Sequence, residues 1–416
     1  MMRFNIIIRN KAVLGNILSL QILNALNMFL PLVSIPYLIS TIGSANYGAY
    51  SISYTILQYV LLIGAFGFGC TTTREISQHR DDIVYVSRLF FSTLFARVIL
   101  TIIASFAFLF VVLVLFPQYI ILYLFGLGIV FGDILNPVWL YQGMEDMKYM
   151  TIVNAIAKTI FTFLIFVFIK CSDDYIYITL LNSAGFIIAG IVSFIIAIRK
   201  FNIEYSRICI KDIIFQVKNA SVVFFSSAFV SLYNNSFVFI MGLFLSESSV
   251  GIYAAVEKII KAARSIVEPI STALFPHVSK LFIGRTEKEN VSIIYRYLYK
   301  IAIPLVLISL CVFIFAPFAC RLVLSSIADE CIFLIRLMSP LIMIGGLNYM
   351  LGIVGLINLG KQKDWFVILL LSSSSSILFL LLLVSKMDIL AAIIASYVAE
   401  LMIFFSCCFT LKKICK

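Results

Sequence analysis

Long apolar stretches alternate with short polar breaks along the whole chain. Apolar stretches of about 20 or more residues are long enough to cross a bilayer as helices. The pattern predicts twelve membrane-spanning helices. The first six lie near residues 14–41, 46–70, 89–116, 119–142, 151–170 and 176–198. The second six lie near residues 220–244, 250–276, 298–317, 331–358, 366–385 and 389–411.

The composition supports this interpretation. Of the 416 residues, 62% are hydrophobic and only 12% are charged, and the mean hydropathy is +1.09. Typical soluble domains have about 25% charged residues. We therefore predict an all-α polytopic membrane protein. The longest predicted breaks, near 199–219 and 277–297, are too short to form a catalytic domain.

The distribution of basic residues predicts the orientation of the chain. Nearly all Lys and Arg residues outside the predicted spans lie at the chain ends and in the even-numbered breaks, while the opposite side holds only Lys170, Arg321 and Lys386. Basic loops stay in the cytoplasm, so both termini are expected there. This asymmetry also accounts for the net charge of +11 without nucleic-acid binding. The basic N-terminus leads into a long apolar stretch, which we interpret as an uncleaved first span.

A weak internal repeat divides the predicted spans into two sets of six. Gly48-Ala49-Tyr50 opens the second span and Gly251-Ile252-Tyr253 opens the eighth, while Gly143 and Gly360 close the fourth and tenth. Matching positions in the same orientation indicate parallel repeats. We therefore predict two bundles, residues 1–205 and 206–416.

Residues 250–276 carry an unusual number of charges for a membrane-spanning helix. Five charged residues fall within an arc of roughly 120° at helical spacing. They are Glu257, Lys258, Lys261, Arg264 and Glu268. Each would cost on the order of 2.5–3.5 kcal/mol at the centre of an isolated spanning helix. The charged stripe is therefore expected to face protein or water rather than lipid.

Two explanations of this stripe remain open. Glu257 with Lys261, and Arg264 with Glu268, are spaced for intrahelical ion pairs that would only neutralise each other. Alternatively, the stripe lines a water-filled functional surface, as intramembrane charges commonly do.

Further charges lie within the predicted spans, and the basic ones outnumber the acidic ones. They are Arg97, Asp133, Lys158, Arg336 and Glu400. Lys158 and Arg336 have a second explanation, because long basic side chains near helix ends reach the interface. A net-cationic interior suits an anionic substrate such as a phosphate, a pyrophosphate or a carboxylate.

Signals of catalysis or metal binding are missing from the sequence. The only histidines, His79 and His277, lack an evident partner set, and the nine cysteines form no CxxC pair. No Gly-rich phosphate-binding motif is present. We therefore predict that the chain is neither an enzyme nor a metalloprotein.

Two motifs go beyond composition. Residues 139–147 read WLYQGMEDM and contain Trp139, Gln142 and Gly143, while residues 251–258 read GIYAAVEK and contain Gly251 and Tyr253. Further positions accompany them: Asn24, Pro31, Pro36, Gly43, Tyr47 and Gly48. Together they resemble the Wzx-type O-antigen flippases, which are polysaccharide transporters of the multidrug/oligosaccharidyl-lipid/polysaccharide exporter superfamily. The resemblance covers the whole chain.

This resemblance implies a fold and a function. The fold would be a V-shaped pair of six-helix bundles around a central cationic cavity. The chain would carry an oligosaccharide on undecaprenyl diphosphate from the cytoplasmic to the periplasmic leaflet of the bacterial inner membrane by alternating access. A polysaccharide polymerase and a chain-length regulator are further expected partners.

The resemblance also gives the interior charges expected roles. The residues expected to bind the diphosphate are Arg97, Lys158, Lys258, Lys261 and Arg264. The residues expected to pair with these bases, or to couple transport to H+ or Na+, are Asp133, Glu257, Glu268 and Glu400. No other cofactor is expected.

Two competing functions remain. A cation-coupled exporter of small molecules belongs to the same superfamily, but such exporters more often use acidic binding residues. A membrane-bound polymerase or ligase would be expected to carry a large external loop, which this sequence lacks.

Overall fold

In a computed structural model the chain is built from helices. The structure describes residues 2–265, 274–275, 278–282, 284–323 and 328–414, and these contain no strand. The predicted all-α class is confirmed. The helices of the first half are α1 (Met2–Ala65), α2 (Phe68–Gln78), α3 (Ile83–Leu115), α4 (Ile120–Ile134), α5 (Val138–Gly143), α6 (Lys148–Phe168) and α7 (Tyr175–Lys200).

The second half continues the series. Its α-helices are α8 (Ile210–Phe244), α9 (Glu247–Ser265), α10 (Glu287–Val323), α11 (Ala328–Met338), α12 (Pro340–Tyr349), α13 (Gln362–Met387) and α14 (Ile389–Ile414). A π-helix over Met350–Ile357 continues α12. Short 3-10 helices occupy Pro117–Tyr119 and Ser172–Asp174.

The described residues contain nine helical segments that are long and apolar enough to cross a membrane. One of them, Asn24–Gln78, includes both of the first two predicted spans. Within the predicted seventh span the structure contains a shorter apolar stretch, Asn235–Phe244, which is not one of these nine segments. The predicted eighth span runs into residues that are not described. The chain is a multi-pass membrane protein, and the total of twelve spans stays a prediction.

The chain divides into two compact units. The first unit comprises Met1–Ser34 and Ala49–Asn235, and the second comprises Ile35–Gly48 and Ser236–Lys416. A segment of α1, Ile35–Gly48, therefore belongs to the second unit, and α1 is interrupted within this segment at Gly43. Gly43 has φ 80° and ψ 165°, a conformation that only glycine adopts readily. The predicted repeat halves, 1–205 and 206–416, stay a prediction.

Polar side chains fix the starts of two long helices. The Asp82 carboxylate accepts a hydrogen bond from the Tyr85 amide at 2.9 Å and caps α3. At α10, Glu289 Oε2 accepts from the Thr286 amide at 2.8 Å, and Thr286 Oγ1 accepts from the Glu289 amide at 3.4 Å. This reciprocal arrangement is a capping box.

Within the first unit, glycines let α4 and α7 pack backbone against backbone. A Cβ atom at Gly132 would overlap the backbone of Phe186, and one at Gly190 would overlap the carbonyl group of Gly132. In a membrane such close approach is a main source of helix association, because lipid offers no hydrophobic driving force between helices.

Within the second unit, two glycines form an equivalent crossing between residues 35–48 and α9. A Cβ atom at Gly48 would overlap the carbonyl oxygen of Glu247, and one at Gly251 would overlap that of Ser44. The hydroxyls of Ser44 and Ser248 lie 2.6 Å apart beside this contact. The two motif glycines that the sequence suggested as repeat positions therefore touch each other.

A polar contact in the first unit links α3 to the start of α8. The pKa of Asp212 is lowered, first by a hydrogen bond from the Cys209 amide and then by the Arg88 guanidinium, whose Nη2 lies 2.9 Å from Asp212 Oδ1. A carboxyl group whose pKa is lower in the folded state stabilises folding above its unfolded-state pKa. The contribution is lost as the pH falls through the folded-state value.

The glycine crossing predicts a loss of stability on substitution. Gly48→Ala and Gly251→Ala each place a methyl group against a backbone carbonyl, which cannot rotate away, so we expect destabilisation of about 1–3 kcal/mol. Thermal unfolding of the purified protein in detergent measures the effect. Gly69→Ala is the matched control, because a Cβ atom there meets nothing within 4 Å. Equal unfolding temperatures for all three variants would contradict the crossing.

Candidate functional site

The charged stripe of α9 lies on a helix whose first half is buried. The buried residues are Val250, Gly251, Ile252, Tyr253, Ala254, Ala255 and Val256. Glu257, Lys258, Lys261 and Arg264 follow and are partly or fully exposed. The buried half, held by the Gly48–Gly251 crossing, positions the charged half. Glu268 lies outside the described residues.

Lys258 is held by a tyrosine from α1. Its Nζ donates a hydrogen bond to Tyr47 Oη at 2.9 Å and lies 5.3 Å from the centroid of the Tyr47 ring. The Tyr47 side chain is fully buried, so it forms a rigid support for the ammonium group. A cation over an aromatic face gains about 0.5–2 kcal/mol, depending on its desolvation.

Lys261 pairs with Glu257 on the same helix. Lys261 Nζ lies 2.9 Å from Glu257 Oε1, and the side chains are 48% and 15% exposed. One of the two predicted intrahelical pairs is therefore present in the structure. An exposed i,i+4 pair contributes only about 0.3–0.5 kcal/mol.

Arg264 contacts an acid from α14. Its Nη1 donates a hydrogen bond to Glu400 Oε1, and its Nη2 approaches the Gly345 carbonyl oxygen at 3.4 Å. A Cβ atom at Gly345 would overlap the guanidinium group, so the glycine makes room for Arg264 on α12. The predicted pairing of Arg264 with Glu268 stays a prediction.

Glu400 is the buried centre of this contact. Its side chain is 3% exposed, and Asn348 Nδ2 donates to its Oε2 at 2.6 Å and to its carbonyl oxygen at 2.8 Å. Both carboxylate oxygens therefore have donors, as a buried charge requires. Tyr47, Gly345 and Asn348 belong to this site, although no charge or spacing pattern in the sequence predicts the last two.

In the first unit, Arg97 and Asp133 form an ion pair at 2.6 Å. The Arg97 side chain is 6% exposed. It also donates hydrogen bonds of 3.4 Å to the carbonyl oxygens of Gly64 and Ile134. Its guanidinium thus joins α1, α3 and α4. Diphosphate binding by Arg97 stays a prediction, and these contacts give the residue a structural role.

Lys158 lines a small cleft of the first unit. Its Nζ lies 5.8 Å from the centroid of the Phe186 ring. Three asparagine side chains line the cleft: Asn136, Asn154 and Asn182. The structure thus brings Lys158 together with three amides of the first unit.

The Trp139 motif packs α5 against α2. Trp139 and Tyr141 are buried, and Thr73 Oγ1 donates to the Trp139 carbonyl at 3.1 Å and to Gln142 Oε1 at 3.3 Å. A Cβ atom at Gly143 would press on the Ile76 side chain. These motif residues support the fold of the first unit. Tyr253, in the second motif, is buried beside Glu257.

Among the described residues, no group of three or more His, Cys, Asp or Glu side chains lies close enough together to hold a metal ion. Ion coupling by the acidic residues therefore stays a prediction that rests on the resemblance.

The comparison with protein families is decisive for the class of protein. Residues 13–282 match the family described as polysaccharide biosynthesis protein. The chain belongs to this family. The matched range contains the Trp139 motif, the Gly251 motif and the whole described part of the charged stripe.

Two curated relatives are similar over most of their length. A candidate O-antigen transporter of Escherichia coli (strain K12) is 25% identical over 354 residues, which is 84% of this chain and 85% of the relative. One of Shigella dysenteriae is 28% identical over 270 residues, 64% of this chain and 67% of the relative. These findings confirm the resemblance to Wzx-type flippases. They agree with the prediction that the chain is not an enzyme.

Two solved structures share the fold. One is an inward-facing multidrug resistance MATE family transporter of the MOP superfamily, with a TM-score of 0.70 and 13% identity. The match covers 92% of this chain and 98% of the transporter chain. The other is the lipid II flippase MurJ in an inward closed conformation, with a TM-score of 0.68 and 14% identity. The match covers 96% of this chain and 90% of the MurJ chain. At these identities the likeness supports the polytopic fold alone.

The Arg264–Glu400 pair predicts strong energetic coupling. In a double-mutant cycle with Arg264→Ala and Glu400→Ala, residues in one buried network should show a coupling of about 0.5–3 kcal/mol. The matched cycle with Glu257→Ala and Lys261→Ala should give no more than about 0.5 kcal/mol. Reversible unfolding in mixed detergent micelles supplies the free energies. A coupling at Arg264–Glu400 that is no larger than the one at Glu257–Lys261 would contradict the arrangement.

Proposed function

We propose that the chain is a flippase for a lipid-linked oligosaccharide. Its substrate would be a polysaccharide repeat unit on undecaprenyl diphosphate, moved from the cytoplasmic to the periplasmic leaflet of the bacterial inner membrane. Family membership and the names of the two curated relatives support the class of substrate. The observation that supports the proposal most directly is the stripe of three bases on α9, Lys258, Lys261 and Arg264.

The stripe has the chemistry that a diphosphate needs. Three basic groups within two helical turns give several donors to an anion with many acceptor oxygens. Lys258 offers a preorganised ammonium on Tyr47, and Arg264 a guanidinium fixed by Glu400. Between them Lys261 is nearly half exposed. A bound phosphate would therefore first recruit Lys261 away from Glu257.

We further propose that a gradient of H+ or Na+ drives transport. Because the substrate moves outward while the gradient runs inward, the cation would bind on the periplasmic side as the substrate leaves and would be released on the cytoplasmic side before the next substrate binds. In this scheme the α9 stripe is accessible first from the cytoplasmic leaflet and then from the periplasmic leaflet.

The orientation follows from the basic residues of the loops. Lys and Arg are concentrated at the chain ends and in the even-numbered breaks, which supports cytoplasmic termini by the positive-inside rule. The Glu257 end of the stripe would then lie toward the periplasm and Arg264 toward the cytoplasm.

Reconstitution tests the proposed function directly. Purified protein in liposomes is given a fluorescent oligosaccharide on undecaprenyl diphosphate, and movement is followed by accessibility of the label to a membrane-impermeant quencher. We expect Lys261→Gln to lower the rate at least about tenfold, since a lost charge-assisted contact of about 1.5–3 kcal/mol has this magnitude. Lys386→Gln, which removes an exposed charge at the end of α13, is the matched control.

The same assay separates the proposal from its competitor. A cation-coupled exporter would move small organic cations and leave the lipid-linked substrate in its original leaflet. No protein-dependent movement of the lipid-linked substrate would overturn the proposed function. Normal movement by Lys261→Gln, in a variant that unfolds at the wild-type temperature, would overturn the assignment of the stripe.

A further inference from the structure

Arg336 is a charge within a predicted span that the proposed substrate site does not use. It lies on α11, and its side chain is exposed. The exposed residues beside it are apolar, namely Phe333, Leu337 and, on the neighbouring α10, Phe313. No exposed residue of α10 between 303 and 318 is charged. Because both helices belong to segments that can cross a membrane, Arg336 is a cation on a surface that faces lipid.

Arg336 lies inside the predicted tenth span but close to one end of it. This span is predicted to begin near residue 331, so Arg336 lies about 7.5 Å inside the end, at about 1.5 Å per residue. A long basic side chain at this depth reaches the headgroup region. In the orientation expected from the positive-inside rule, this end of the span is the periplasmic one. The guanidinium group would thus meet the periplasmic leaflet.

Phe313 holds the guanidinium group in one orientation. Arg336 Nε donates a hydrogen bond to the Phe313 carbonyl oxygen at 3.4 Å, and Arg336 Cζ lies 5.2 Å from the centroid of the Phe313 ring. Guanidinium groups pack favourably on aromatic faces. Because the contacts with Phe313 use the ring side and Nε, the two Nη groups stay available as donors. The side chain is therefore oriented before a ligand binds, which distinguishes it from a basic side chain that only extends toward water.

Arg336 has no counter-charge within the part of the chain that the structure describes. Its Nη1 and Nη2 form no hydrogen bond or ion pair with these residues. The acids of the same helix, Asp329 and Glu330, lie in its first turn, about 9 Å or more away along the helix axis. A charge in contact with lipid is costly unless an opposite charge meets it. A ligand of Arg336 is therefore expected to be an anion.

A lipid phosphate is the anion that fits this surface. The two Nη groups match two oxygens of one phosphate group in the bidentate geometry that arginine forms with phosphates. Apolar residues continue from Phe313 along α10 toward the membrane centre: Leu310, Val306 and Ile303 are all exposed. The acyl chains of the same lipid would cover them, whereas a soluble anion has no apolar part to do so.

We propose that Arg336 and Phe313 bind the phosphate of an anionic phospholipid of the periplasmic leaflet. Arg336 Nη1 and Nη2 donate to the phosphate, the Phe313 ring and carbonyl hold the guanidinium group, and the acyl chains lie along α10. The bound lipid supplies the counter-charge that the described chain lacks. Phospholipid binding here is independent of the proposed function, because it requires no transported substrate.

Native mass spectrometry of the purified full-length protein in detergent measures this binding. The protein is titrated with phosphatidylglycerol, and in parallel with diacylglycerol of the same chains, which lacks the phosphate. We expect Arg336→Gln to weaken binding of the first phosphatidylglycerol about tenfold, since a charge-assisted contact is lost, and to leave diacylglycerol binding unchanged. Lys386→Gln, which removes a charge at the end of α13, is the matched control. Equal phosphatidylglycerol binding by the wild type and Arg336→Gln would overturn the site.

Solid-state NMR shows whether the phosphate touches the guanidinium group. Protein with isotope-labelled arginine is reconstituted in phosphatidylglycerol vesicles, and the loss of guanidinium carbon signal through coupling to phosphorus is recorded. We expect one coupled signal of the wild type to be absent from Arg336→Gln and to be weaker in Phe313→Leu, which keeps the charge but removes the ring. Identical coupled signals in the wild type and Arg336→Gln, with equal unfolding temperatures, would rule out the contact.

Competition identifies the source of the phosphate. Undecaprenyl phosphate is added in equimolar amount to protein that is saturated with phosphatidylglycerol, and the bound lipids are again read by native mass spectrometry. We expect the wild type to keep the phosphatidylglycerol that Arg336→Gln fails to bind. Displacement of this phosphatidylglycerol by undecaprenyl phosphate would assign Arg336 to the lipid carrier and overturn the phospholipid site.

Discussion

The membrane interior tolerates a charged side chain only when other groups satisfy it, and this constraint organises both units of the protein. Arg97 is surrounded by Asp133 and two backbone carbonyls, and Glu400 is surrounded by Arg264 and Asn348. Such charges connect helices that lipid would otherwise not drive together. On α9, Lys258 donates to Tyr47 and Lys261 pairs with Glu257.

Glycines determine where the satisfied charges lie. At Gly48 and Gly251 two backbones touch, so the register of α9 against residues 35–48 is fixed and Tyr47 falls beneath Lys258. At Gly132 and Gly190 a close approach of the same kind fixes α7 against α4. Gly345 has a third use, because its missing side chain leaves room for the Arg264 guanidinium.

The sequence predicted what depends on local spacing. Long apolar runs predicted an all-α polytopic chain, and the i,i+4 spacing predicted the Glu257–Lys261 pair, which the structure contains. The sequence alone could not predict contacts between residues that lie far apart along the chain. Glu400 lies 136 residues from Arg264, so spacing favoured the nearer Glu268, and nothing local placed residues 35–48 in the second unit. The cleft-lining residues of α6 and α7 follow one helical spacing, starting from Asn154 and from Asn182. Polar residues at this spacing in the predicted spans are therefore a local signal of the cleft.

The central claim is that the α9 stripe binds the diphosphate of a lipid carrier. Native mass spectrometry of the purified protein, with undecaprenyl diphosphate and undecaprenyl monophosphate in competition, measures this binding without any sugar or transport step. We expect the wild type and Lys386→Gln to prefer the diphosphate, and Lys261→Gln to lose most of this preference. Equal binding of the two lipids by the wild type, or an unchanged preference in Lys261→Gln, would contradict it.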